Sequence, residues 1–144
     1  MSKLIVSECN PSVYQQGVAT KNMNVVAIRP HLYIHGSPTG TIKVEIQDEN
    51  GFMIDESETL DLTDPRFKTL AYAHGYYRFN LASTLIKDVA YRVAVVCGGG
   101  YTFSDSAFVG VCLDWDGTKQ EVGYTPGNSF EYPLDFEIWE RKIK

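Results

Sequence analysis

Four stretches of the chain alternate apolar and polar residues almost without error: Thr41 to Gln47, Tyr76 to Leu81, Tyr91 to Cys97 and Leu134 to Trp139. Successive side chains of a strand point to opposite faces, so a period of two over this many residues requires sheets with one face buried and the other wet. A helix would spread the same apolar residues around its whole circumference. The pattern therefore predicts an all-β chain: an antiparallel β-sandwich, jelly-roll-like, of eight or nine strands with little or no helix.

Within these strands the inward sets are Ile42, Val44 and Ile46; Tyr77, Phe79 and Leu81; Tyr91, Val93, Val95 and Cys97; and Leu134, Phe136 and Ile138. The opposite parity of the last strand, Asp135, Glu137, Trp139 and Arg141, is expected to face water. Asp48-Glu49-Asn50-Gly51 reads as a tight return into Phe52 to Ile54, because Asn and Gly tolerate positive φ. Leu60 and Leu62 suggest a short strand, and Thr63-Asp64-Pro65-Arg66-Phe67 a turn or one capped helical turn with its proline early.

Val26, Ile28, Leu32 and Ile34 share a parity that Pro30 interrupts; a missing ladder donor points to an edge strand or a bulge. Residues 1–23 have broken periodicity around Asn10-Pro11-Ser12 and Gln15-Gln16-Gly17, and are expected to form an amino-terminal arm or a first strand. Residues 24–144 then make the sandwich domain. At 144 residues the chain has the length of one domain and enough surface to bury for a core of its own.

The net charge of −5, with 13 basic residues scattered among 18 acidic ones, is the wrong field for nucleic acid. Apolar runs such as Val93 to Cys97 are too short to cross a bilayer as helices, and Met1 to Glu8 lacks a signal peptide's apolar core. Synthesis in the cytosol is the expectation, with no membrane partner. Cys9, Cys97 and Cys112 are odd in number and form no C-x-x-C pair, so they read as buried thiols acting as small hydrophobes.

Candidate chemistry is sparse. His31 and His35 share a parity but would stand about 13 Å apart at roughly 3.3 Å per strand residue, too far to chelate one ion directly. They and His74 read as outward-facing side chains. Asp55-Glu56-Ser57-Glu58 reads as a solvated loop and Asp114-Trp115-Asp116-Gly117 as a turn that lacks an EF-hand pattern for Ca²⁺. Gly98-Gly99-Gly100 runs into Tyr101-Thr102-Phe103 rather than a helix N-terminus, so it does not cradle a phosphate. Ser104 and Ser106 sit in no nucleophile elbow. Neither a catalytic residue, a cofactor nor a metal is expected, and the chain reads as no enzyme.

The aromatics of the later loops are the residues with functional reach. Tyr101, Trp115, Tyr124, Phe130 and Tyr132 fall in or beside predicted loops. There they either cap the open ends of the sandwich or present apolar faces to a partner subunit or a sugar ring.

Thr39 to Gln47, the Gly-bearing turn after it, Tyr76 to Leu81, and Val89 to Val95 with the loop to Tyr101 resemble jelly-roll modules of bacteriophage virion proteins and related adhesion or carbohydrate-binding modules. The resemblance covers roughly half the chain, from Gly40 to Leu113. It implies a non-enzymatic virion structural protein, a capsid decoration or cement protein or a tail- or fibre-associated component. Its partners would be capsid or tail subunits and further copies of itself, as a homo-oligomer such as a trimer. The alternative it implies is a carbohydrate-binding module that holds a surface glycan through the loop aromatics.

Overall fold

A computed structural model describes residues 6–67, 73–112, 124–126 and 134–141, with the backbone alone at residues 73 and 124–126. Twelve strands are present among them: β1 (Val6–Glu8), β2 (Ser12–Ala19), β3 (Met23–His35), β4 (Thr41–Asp48), β5 (Met53–Glu56), β6 (Leu60–Asp61), β7 (Ala73–Tyr76), β8 (Phe79–Leu85), β9 (Ala90–Gly98), β10 (Phe108–Cys112), β11 (Tyr124–Pro126) and β12 (Phe136–Glu140). They form two antiparallel six-stranded sheets, the β-sandwich that the alternation requires. The count exceeds the expected eight or nine because β2 occupies the segment of broken periodicity and β11 part of an expected loop, and because Tyr77-Arg78 divides one expected strand into β7 and β8.

Sheet 1 is organised around β3, whose 13 residues are long enough to carry two strands on each edge. β8 pairs with its first half and β7 with its second, while β12 and β10 share the opposite edge in the same way. β1 extends the sheet beyond β10. Sheet 2 runs β11-β2-β9-β4-β5, with β6 beside β5 on the free side of β4. One apolar core lies between the sheets. Ile28, Leu32, Ile34 and Phe79 meet Ile42, Val44, Ile46, Val93 and Val95 in it, all buried. Full burial of each such side chain contributes about 1.5–3 kcal/mol.

Of the two readings of the amino-terminal segment, the described residues follow the strand: β1 and β2 are strands of different sheets, with β2 lying between β9 and β11. Two other expectations are corrected. Pro30 is neither on an edge strand nor at a bulge. Its carbonyl accepts from Tyr77 N, and the register that pairs Ile28 with Phe79 and His31 with Tyr76 sets it opposite Tyr77, so the N–H it lacks is the one that would complete this pair and the ladder is interrupted there, between β7 and β8. The bulge falls earlier, between Val25 and Ala27, and moves Val26 off the inner parity that Val25 and Ile28 keep.

Local signals act as their chemistry dictates. Asp48 Oδ1 accepts from Asn50 N and Phe52 N to close the β4–β5 hairpin, and Asp64 Oδ1 accepts from Arg66 N at the single 3-10 turn Pro65–Phe67. Gly110 has no side chain because the Val6 side chain occupies the place of its Cβ, which lets β1 close on β10. Cys9, Cys97 and Cys112 are buried and free.

Candidate functional site

The outer face of sheet 1 carries most of the aromatic and ionisable side chains that sequence parity sends outward. β3 contributes Arg29, His31, Tyr33 and His35 at alternate positions, and register sets a partner beside each. Trp139 and Asn80 flank Ala27, Glu137 pairs with Arg29, Tyr76 with His31, His74 with Tyr33 and Phe108 with His35.

At the centre of this face His31 Nδ1 lies 2.9 Å from Asp135 Oδ2, which also accepts the Tyr76 hydroxyl at 2.6 Å. The Asp135 carboxylate has no proton to give, so it fixes the His31 tautomer with Nδ1 as donor. His31 Nε2 then faces His74 Nδ1 at 2.8 Å, and the two imidazoles share a single proton across that contact. The His31 and Tyr76 rings stack with centroids 4.6 Å apart. Backbone bonds lock the same place, with Asp135 O accepting from His31 N and Asp135 N donating to Cys112 O.

Asp135 was expected in water and is instead buried beneath His31 and Tyr76, at 8% exposure. His31 is likewise no bland surface histidine. Both of its ring nitrogens have hydrogen-bond partners, Asp135 and His74. The arrangement ties three strands together across the face. Among the described residues no cluster of three metal-ligating side chains is gathered.

On either side of this centre the face is aromatic. Tyr33 Oη bonds His35 Nδ1 at 2.9 Å, and the His35 ring stacks on Phe108 at 5.0 Å. In the other direction two guanidinium groups lie over the Trp139 ring, Arg29 at 5.3 Å and Arg78 at 4.9 Å from the ring centroid. Glu137 Oε1 accepts from Arg29 Nη1 at 3.0 Å.

Of the loop aromatics, Tyr101 is buried at 7% exposure and offers no open ring. Its hydroxyl donates to Cys9 O at 2.8 Å and accepts from Val109 N at 3.0 Å, so it caps the sandwich end and ties β1's turn to β10. Burial holds the phenol neutral and pushes its pKa up to about 12. Tyr124 is placed by its backbone at the start of β11, and Trp115, Phe130 and Tyr132 lie outside the described residues, as does the Asp114 to Gly117 turn. Two exposed aromatics that sequence reasoning did not single out as site residues are Phe52 and, on this face, Trp139. Its signal was an indole at a water-facing position between two acids, Glu137 and Glu140.

A second surface feature stands at one end of the sandwich. Among the described residues seven large apolar side chains are exposed, and six of them, Val18, Phe52, Met53, Ile54, Ile86 and Val89, belong to segments that meet there. Val18 pairs with Ala90, Asp48 with Tyr91, and Ala19 N donates to Val89 O, which brings the β4–β5 hairpin and the β8–β9 turn side by side. Phe52 is the most exposed, at 71%. β5 is also the outer strand of sheet 2, and among the described residues no strand pairs with its second edge.

No protein-family model matches this chain, and no curated protein matches it in sequence.

Proposed function

We propose that this chain is a non-enzymatic structural module of a bacteriophage virion, a jelly-roll-like sandwich that docks on capsid or tail subunits as a decoration, cement or fibre-associated component. The virion context rests on the resemblance of its strand and turn segments to such modules. The observation that supports docking is the apolar end formed by Val18, Phe52, Met53, Ile54, Ile86 and Val89. Single exposed apolar residues are ordinary on a protein surface, but six of them on segments that meet at one end, beside the outermost described strand of a sheet, favour a surface that another protein covers.

The partner face is defined by charge. Asp48, Glu49, Asp55 and Asp88 rim this end, against the nearby cations Lys87 and Arg92, while Glu56 further along β5 is paired with Lys43. A subunit that presents apolar side chains within a basic rim complements it, and such complementarity sets register and speeds encounter. The open backbone of β5 offers that subunit a strand to extend.

Quantitative mass spectrometry of gradient-purified particles tests the reading. The protein is expected at a fixed copy number relative to the major structural subunits, and its absence from the particles overturns the virion assignment. Phe52→Asp with Ile54→Asp is expected to leave a folded protein that no longer joins the particle. Undiminished incorporation of that folded variant removes this end as the docking surface.

A further inference from the structure

We infer that the outer face of sheet 1 carries a binding site for an acidic saccharide, centred on Trp139 and Arg78 and independent of the docking end. The indole is 43% exposed, while Ala27, beside it on the same face, is fully covered. Trp139 and Asn80 are the neighbours of Ala27 on its two sides, so the row across three strands is indole, methyl and amide. With only a methyl beside it on β3, the exposed indole is the platform of the site.

The two guanidinium groups beside that platform differ in their occupancy. Arg29 is neutralised by Glu137 at 3.0 Å. Arg78 gives its Nε to the neutral amide oxygen of Asn80 at 2.7 Å, and no carboxylate holds its terminal nitrogens among the described residues. In a chain of net charge −5, an exposed guanidinium fixed in plane by an amide and left without a carboxylate has its paired donors open to solvent. Its Cζ lies over the indole ring, 4.9 Å from the centroid, so a ligand on the exposed remainder of the ring meets those donors.

Two kinds of group therefore bind together here: a flat, mostly C–H surface against the indole and a carboxylate against the Arg78 fork. A uronic or sialic sugar joins both on one ring, with hydroxyls for Asn80 and Glu137. A neutral sugar satisfies only the platform. An acidic peptide satisfies only the fork, since its carboxylates stand on flexible stems without a ring face to stack.

The test is calorimetric titration of the full chain with an oligogalacturonate and with sialyllactose, against neutral oligosaccharides of matched length and polyglutamate. At least one acidic sugar is expected to bind about tenfold or more tightly than its neutral counterpart. Arg78→Gln is expected to abolish that preference, and Trp139→Ala to abolish saccharide binding, both with unchanged circular dichroism. Failure of both acidic sugars to bind saturably at millimolar concentration overturns the site. So does binding that survives Trp139→Ala, or polyglutamate binding as tightly as the sugars. None of these results bears on incorporation into particles, which the Phe52 and Ile54 variants read separately.

Discussion

The two outer faces of the sandwich solve the same problem with different chemistry. On sheet 2, Lys43 lies between Glu45 at 3.1 Å and Glu56 at 3.2 Å, and Arg92 covers the Tyr14 ring at 4.3 Å while its Nε reaches Gln16. These are contacts of long side chains with water on their far side, worth little individually. On sheet 1 the Tyr76, Asp135, His31 and His74 chain has short bonds, stacked rings and a buried carboxylate. A polar residue that has lost its water depends on its partners, so one face is a solvated ladder and the other is part of the structure.

Asp135→Ala is the largest test of that difference. It removes the acceptor of His31 Nδ1 and Tyr76 Oη together, and a loss of about 2–3 kcal/mol is expected by chemical denaturation. A loss below about 0.5 kcal/mol would place this face on a par with sheet 2.

Tyr101→Phe, between the faces, deletes a hydroxyl held by Cys9 O and Val109 N and is expected to cost about 1–2 kcal/mol. It also changes the alkaline limb. The folded phenol keeps its proton to about 12, whereas an unfolded tyrosine loses it near 10. The unfolded state then binds fewer protons over that window, so stability is intact below about pH 10 and falls as pH rises toward 12. Cys112 adds to the fall, since burial, then the Asp135 charge, raises its thiol from 9.0 to about 12. The Phe variant is expected to show a shallower decline across the same range, read by denaturation midpoints at each pH. An unaltered slope contradicts the burial of this hydroxyl.

Lys43→Ala on sheet 2 is the smallest effect, within about 1 kcal/mol. Its ammonium is raised above the ordinary 10.5 by Glu45 first and Glu56 after it. That small contribution is present below the ordinary lysine value and is lost as pH rises through the folded one. High salt is expected to erase the Lys43 effect while leaving that of Asp135 largely in place.

The inward sets of β4, β8, β9 and β12 were legible because alternation reports burial directly: Ile42, Val93, Phe79 and Phe136 are all in the core. What the alternation hides is anything that register creates. Asp135 lies 104 residues from His31, and His74 lies 43 residues from it, so nothing local marks their meeting. Gln15, read as part of a break in periodicity, is fully buried on β2 and accepts from Leu134 N at 3.1 Å, 119 residues away. The bulge at Val25/Ala27 defeats a strict period of two and misplaces Val26, and Pro30 is tolerated in a central strand only because of what its neighbours do. For the candidate site, parity did send Trp139 outward, but it could not show Arg29 and Arg78 gathered over its ring.

Amide hydrogen exchange on the free protein and on purified particles tests the account at its centre, since it reads the braced face and the uncovered end in one measurement. In the free protein, Arg29 to Ile34 is expected to exchange slowest and residues 49–54 fast; in the particle, residues 49–54 and 86–89 gain protection. Equal exchange of residues 49–54 in both states would contradict the account.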